Sequence, residues 1–280
     1  VFLTSIIPAK WFGIYPTKVT PARLDLASIQ AISKLKYDAD QNNTPDWKDL
    51  VQTTFQASNV TPTNTSPDPE AAKRLQDPDN LTSSFSKNLY VASAYRSQNG
   101  SASEETQQQL LNALVTQEAS KLTSKVYVAS DLTILSADTK GALKTYGNTM
   151  ASMLKNIITE KNITDDLLGI NSFLQNKNEE SLAAIKKNEV RINAILTKMS
   201  EVGVPPSAVA MHLLALNRIS AYKDTLHNLA QAANDPVRAT LALQGYSEQA
   251  VLVLRITSRF SDFFNAENIA FPSQESGYLF

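Results

Sequence analysis

The chain of 280 residues has no cysteine and only two histidines. The lack of cysteine excludes disulfide bonds, thiolate zinc sites and cysteine nucleophiles. His212 and His227 lie about four turns apart on one predicted helix, so they cannot share a metal ion within a chain. His212 falls on the apolar side of that helix, and we predict that it is a core or boundary residue with satisfied hydrogen bonds.

The chain also has few glycines and almost no net charge. Eight glycines leave little material for the tight turns of a β-rich protein, whereas a hydrophobic content of 42% is enough for a packed helical core. The 26 basic and 27 acidic residues give a net charge of −1. This balance provides no electrostatic footprint for nucleic acid or an anionic membrane surface, so neither is predicted as a partner.

Known catalytic motifs are absent from the sequence. It contains no nucleophile elbow, no phosphate-binding loop and no dinucleotide fingerprint. We therefore predict a binding or scaffold protein and not an enzyme. The alternative is an enzyme of unrecognised type that uses carboxylates in a cleft between helices. A deep polar cavity with converging carboxylates would favour the enzyme, and an exposed apolar face would favour a protein partner.

Apolar runs long enough to span a membrane are missing as well. Residues 1–7 are apolar but fall far short of the roughly 18 residues that a spanning helix needs. Together with Trp11, Phe12 and Tyr15, they fit the outer end of a membrane anchor that precedes Val1. They fit equally well an apolar strap that packs on the body of the protein.

Residues 38–49 are the one segment whose spacing predicts a particular chemistry. In a twelve-residue EF-hand-like loop, Ca²⁺ takes side-chain oxygens at positions 1, 3, 5, 9 and 12 and a backbone carbonyl at position 7. Position 6 holds Asn43 in place of the usual glycine, and position 12 holds aspartate in place of glutamate. Both departures lower the expected affinity, to a Kd of roughly 10⁻⁴ to 10⁻³ M. The predicted metal ligands are Asp38, Asp40, Asn42, Thr44, Asp46 and Asp49.

The pattern Asp-x-Asp-x-Asn-Asn-x-Pro-Asp-x-x-Asp resembles the calcium loops of thrombospondin type 3 and dockerin repeats. The Pro45-Asp46 pair is part of that resemblance, which covers residues 38–49 alone. The resemblance implies Ca²⁺ as the ion and an extracytoplasmic setting.

Three regions follow from the distribution of proline and of apolar residues. Residues 1–56 form a membrane-proximal segment in which Thr20-Pro21 and Thr44-Pro45 start two helices around the loop. Residues 57–80 are a polar linker containing four prolines, and residues 81–280 carry helical periodicity. Short connections between the later helices predict an all-α fold, an antiparallel multi-helix bundle that follows the helix-loop-helix segment.

The order of these regions is also similar to surface-exposed helical proteins of bacteria, a resemblance that implies a location and no activity. We therefore expect an extracytoplasmic module, at the bacterial cell surface or in the periplasm, that binds protein partners such as pilus or secretion-system components. An oligomer is a further alternative, with Phe260, Phe263, Phe264 and Phe271 either at the subunit contact or in the core of one chain.

Overall fold

Helices make up most of the chain that the structure, a computed structural model, describes: residues 77–89, 104–155, 157 and 160–280. They pack against one another as predicted, which confirms the all-α bundle. The helices are α1 (residues 81–89), α2 (Glu104–Ala119), α3 (Lys140–Leu154), α4 (Glu160–Asn176), α5 (Ala183–Ser200), α6 (Val209–Ala230), α7 (Pro236–Leu254) and α8 (Ile256–Ala266). Short 3₁₀ turns occur at Ala129–Asp131, Glu179–Leu182, Pro206–Ala208 and Ser276–Leu279.

The central helix is α6, which packs most extensively against α5 and α7. Short connections join it to both neighbours, so each pair is antiparallel. Leu216, Ile219 and Leu226 on α6 have no exposed surface. Burial of each such aliphatic side chain contributes about 1.5–3 kcal/mol, and this stripe therefore fixes the position of α6 in the bundle.

Two short strands, β1 (Thr133–Ile134) and β2 (Gly203–Val204), form a parallel ladder beside the bundle. Thr133 is paired with Gly203, and Ile134 is paired with Val204. The sequence suggests β-like character slightly earlier, at residues 126–128. Those residues belong to no described helix or ladder, although the backbone of Val128 is extended.

The start of α3 differs from the sequence prediction, which gives Ser136 or Asp138 as the N-cap. The cap is Thr139, whose hydroxyl accepts a hydrogen bond from the backbone N–H of Ala142 at 3.0 Å. Asp138 instead accepts a hydrogen bond from the backbone N–H of Ser207 at 2.8 Å. The aspartate therefore ties the start of α3 to the turn before α6.

The single helix predicted after Pro236 is two helices, α7 and α8. Arg255 lies between them with φ −76° and ψ −10°, well away from the ψ of about −42° that continues an α-helix. Its N–H points to the carbonyls of Val251 and Val253. The change of hydrogen-bond pattern at this residue separates the two helices.

The sequence predicts that the polar C-terminal tail is either strapped on the bundle or frayed, and the structure shows it strapped across α3. Asn148 accepts a hydrogen bond from the backbone N–H of Gly277 at 2.7 Å and donates one to Glu275 at 2.9 Å. Lys144 forms an ion pair with the same glutamate at 2.8 Å. These polar contacts hold the last 3₁₀ turn against the bundle.

Aromatic side chains fill the space beneath this strap. Phe260 and Phe264 are fully buried, and their rings lie 5.1 and 5.4 Å from the ring of Phe280. The ring of Phe271 meets Phe264 edge-on at 5.0 Å. Phe260 and Phe264 are therefore core residues of one chain, which leaves Phe263 and Phe271 as the partly exposed members of the predicted cluster.

Among the described helices, none combines the length and hydropathy that crossing a bilayer requires.

Candidate functional site

The six predicted calcium ligands, Asp38, Asp40, Asn42, Thr44, Asp46 and Asp49, lie outside the described residues. The helix-loop-helix prediction around them lies there too. Within the described ranges, no group of three or more His, Asp or Glu side chains is placed to hold a metal ion. The described candidates for a functional site are therefore the surfaces and buried polar groups of the bundle itself.

The segment before β1 is held firmly against α6 by hydrogen bonds between α6 side chains and the backbone of the segment. The side chain of Asn217 accepts from the N–H of Tyr127 at 2.6 Å and donates to the carbonyl of Tyr127 at 3.1 Å. Ser220 donates to the carbonyl of Lys125 at 3.0 Å. These contacts mimic a strand pairing and leave the segment little freedom to rotate.

Neighbouring side chains in an extended chain point to opposite sides, so the fixed position of Tyr127 determines the side on which its two neighbours lie. Its ring packs into the core beneath the ammonium of Lys125, which lies 4.2 Å from the ring centroid. Val126 and Val128 consequently point outward and are 70% and 50% exposed. Exposed valines on a fixed backbone are preorganised for contact with another apolar surface.

The ladder between β1 and β2 adds two more exposed apolar side chains. The N–H of Leu135 donates to the carbonyl of Val204 at 2.8 Å, which extends the ladder by one bond. Ile134 and Leu135 nevertheless keep 47% and 37% of their surface exposed. We use the name apolar ridge for the set of four exposed large apolar residues between positions 126 and 135, which are Val126, Val128, Ile134 and Leu135.

A shallow groove of about 360 Å³ opens beside the end of the ridge. Its lining is mainly apolar and contains no carboxylate. The hydroxyl of Tyr146, which also lines it, is directed into the core toward His212. The groove is lined by Leu135, Ala142, Thr145, Tyr146, Thr149, Val202 and Gly203.

His212 is a core residue with both ring nitrogens hydrogen-bonded, as predicted from the sequence. Nε2 lies 3.1 Å from the carbonyl of Met199, which can only accept, so Nε2 carries the proton. Nδ1 therefore accepts from the hydroxyl of Tyr146 at 2.9 Å. Burial lowers the pKa of His212 to about 4, and the ring is neutral at pH 7.

A second buried polar cluster surrounds Asp166 on α4, which is 1% exposed. One carboxyl oxygen, Oδ2, accepts from Asn188 on α5 at 2.7 Å and from the hydroxyl of Tyr246 on α7 at 2.8 Å. The hydroxyl of Tyr222 on α6 lies 3.5 Å from the same oxygen. Four helices thus contribute to one carboxyl site. Desolvation raises the pKa of Asp166 to about 6.

The positive charge nearest this carboxyl acts through an intermediate side chain. Arg191 donates to Asn188 Oδ1 at 2.5 Å and to the carbonyl of Ile157 at 2.9 Å. Asn188 in turn donates to Asp166. The guanidinium therefore orients the Asn188 amide, and its positive charge favours the ionised form of Asp166.

The apolar ridge and the Asp166 cluster are not among the features predicted from the sequence, although each has a signal in it. Asp166 falls at helical spacing between Ile163 and Ile170, a register that predicts burial. The alternation of Val126 and Val128 around Tyr127 predicts that one side of the segment is exposed. The identity of the hydrogen-bond partners, by contrast, has no local signal.

Comparisons with protein-family models, with curated proteins and with solved structures find no match to this chain.

Proposed function

We propose that the chain is an extracytoplasmic binding or scaffold module of a bacterial cell-envelope assembly, such as a pilus or a secretion machine. The observation that carries the proposal is the apolar ridge. Its side chains are exposed although hydrogen bonds to the side chain of Asn217 and to the carbonyl of Val204 fix the backbone beneath them. A fixed, exposed apolar surface fits a protein partner that presents apolar side chains of its own.

The alternative is an enzyme that uses carboxylates between helices, and the geometry of the described residues supports it less. Asp166 is the one described carboxyl on which several titratable side chains converge, and it lies in the core with almost no exposed surface. The groove beside the ridge has no carboxylate in its lining. A substrate would therefore reach apolar side chains in the groove and would be shielded from the buried acid.

The N-terminal regions complete the proposal. We propose that Ca²⁺ binds weakly to residues 38–49 and stiffens the segment between the apolar N-terminus and the bundle. The resemblance of this loop to those of surface and secreted proteins supports an extracytoplasmic location.

The proposal can be tested by site-specific photo-cross-linking in a bacterial cell-envelope fraction. A photoreactive residue at Val126 is expected to give one discrete adduct with a protein partner. Unlabelled wild-type chain should compete for this adduct, whereas a Val126→Asp/Val128→Asp double variant should not. Circular dichroism would verify that the double variant is folded, as expected for substitutions at exposed positions.

Val190 provides the matched control, because it is an equally exposed valine, 69% accessible, on α5. A photoreactive residue there is expected to give no discrete adduct. Equal labelling from both positions, or equal competition by the wild-type chain and the double variant, would show that the ridge is not a specific binding surface.

A further inference from the structure

The strongest unexplained feature of the bundle is an acidic side chain enclosed where four helices meet. Asp166 is the contribution of α4, and its partners Asn188, Tyr222 and Tyr246 come from α5, α6 and α7. A carboxylate at such a position loses its hydration and recovers only part of that loss from neutral donors. The protonated acid has no such cost, so packing at this point depends on the protonation state.

We propose that Asp166 makes the bundle responsive to pH, so that proton uptake tightens the docking of α4 on α5, α6 and α7 and proton release loosens it. The inference concerns the fold alone and does not depend on the partner of the apolar ridge.

The groups that face the carboxyl favour its ionised form. On α5, Arg191 reaches Asp166 through Asn188, and its positive charge favours the ionised form. On α6 and α7, the two tyrosines are themselves buried, which raises the pKa of Tyr222 and of Tyr246 above the ordinary value of 10.0. Both tyrosines therefore stay protonated and remain donors throughout the range in which Asp166 titrates.

Desolvation outweighs these favourable contacts, and the pKa of Asp166 rises from 3.8 to about 6. A raised pKa means that the folded state binds the proton more tightly than the unfolded state does. Stability contributed by this group is then greatest at low pH and falls as the pH rises toward and past 6. The sign is opposite to that of a carboxylate in a favourable ion pair.

The decisive experiment compares the unfolding equilibrium of the wild-type chain with that of Asp166→Asn at pH 4.5 and pH 7.5. The ratio of the two unfolding constants, wild type over variant, is expected to rise about 25-fold between these pH values. Other titrating groups, including His212, are present in both proteins and cancel in the ratio. A ratio that does not change with pH would overturn the proposal.

Asp165 provides the matched control, since it precedes Asp166 in α4 and is half-buried instead of enclosed. Asp165→Asn is expected to keep the wild-type pH profile, and an equal effect of both substitutions would contradict a role specific to Asp166. Amide hydrogen exchange, corrected for the pH dependence of the intrinsic exchange rate, should locate the change. In the wild type, α4 should be protected more strongly at pH 4.5 than at pH 7.5. In Asp166→Asn, its protection should be equal at both pH values.

A direct titration keeps the proposal testable if Asp166→Asn does not fold. The side-chain carboxyl carbon of Asp166 in the wild type, followed by NMR, is expected to titrate with a midpoint near 6. Tyr246→Phe should move the midpoint upward, because it removes a donor that stabilises the carboxylate. A wild-type midpoint near 3.8, the ordinary value, would overturn the proposal.

Discussion

Asp235 holds Thr82 through two hydrogen bonds to the same oxygen, from the threonine N–H at 2.9 Å and from its hydroxyl at 2.7 Å. The other carboxyl oxygen accepts from the N–H of Leu81 at 2.8 Å, and the side chain also caps α7 through the N–H of Arg238. One carboxylate therefore satisfies donors at the N-termini of two helices, α1 and α7. Both helix dipoles favour a negative charge there.

The hydroxyl of Thr82 completes the junction, because it accepts from the N–H of Val237 at 2.9 Å while donating to Asp235. Thr82→Val keeps the shape but leaves the Val237 N–H without its partner. We expect a loss of about 1–3 kcal/mol in the free energy of unfolding, measured by urea denaturation.

Thr116→Val is the control for this substitution. Thr116 is exposed, and its hydroxyl bonds only to the carbonyl of Asn112 in its own helix. Its effect should stay within about 0.5 kcal/mol. Similar losses for the two variants would contradict the role assigned to the junction.

Gly169 on α4 lies close to the backbone of a neighbouring turn. A Cβ at this position would lie 2.6 Å from the carbonyl oxygen of Ser181, in the 3₁₀ turn before α5. Gly169→Ala must push the turn away, and we expect a net loss of about 1–2 kcal/mol in the free energy of unfolding, measured by thermal or urea unfolding.

Gly245→Ala in α7 is the matched control, since nothing lies within 4 Å of its added Cβ. That variant should gain about 0.5–1 kcal/mol. Equal effects at both positions would rule out the steric explanation.

Local signals in the sequence are sufficient to predict much of the bundle. The paired prolines Pro205 and Pro206 and the apolar stripe after them predict α6, and Asn234-Asp235-Pro236 predicts the start of α7. Each of these signals acts within a few residues of the chain. The helix that follows Pro236 nevertheless divides at Arg255, where no glycine or proline marks the change.

Contacts between distant residues account for what the sequence could not predict. The sequence identifies Asp235 as a cap for its own helix, but it gives no sign that the carboxylate also accepts from Leu81, 154 positions earlier. Asp166 and Tyr246 are separated by 80 positions, so the carboxyl site exists only after four helices have packed. The exposure of Val126 likewise depends on Asn217, 90 positions beyond Tyr127.

His212 should make the protein less stable as the pH falls, in contrast to Asp166. Burial lowers its pKa from 6.5 to about 4, so the folded state disfavours the charged ring. The stability that this group contributes is complete above pH 6.5 and is lost as the pH falls toward 4. Relative to His212→Gln, the wild type should lose about 2 kcal/mol between pH 7 and pH 4.5 in urea denaturation.

His227→Gln is the control for that titration. His227 is half-exposed on the same helix and pairs with Glu189 at 2.8 Å on the surface. This variant should retain the wild-type loss of stability on acidification. If His227→Gln removed the loss and His212→Gln did not, the buried histidine would have to be discarded as its source.

The calcium prediction rests on the spacing of oxygen ligands in residues 38–49 and is tested by binding and by melting. With a Kd of roughly 10⁻⁴ to 10⁻³ M, 10 mM Ca²⁺ should stabilise the calcium-bound fold by about 1.4–2.7 kcal/mol. The melting temperature should therefore rise in calcium relative to chelator, and isothermal calorimetry should record one weak site. Asp38→Ala removes the ligand at loop position 1 and should abolish both effects, whereas Asp68→Ala, in the polar linker, should leave them intact. Unchanged melting together with no heat of binding for the wild type would mean that the aspartates of the loop cap a turn and bind no metal.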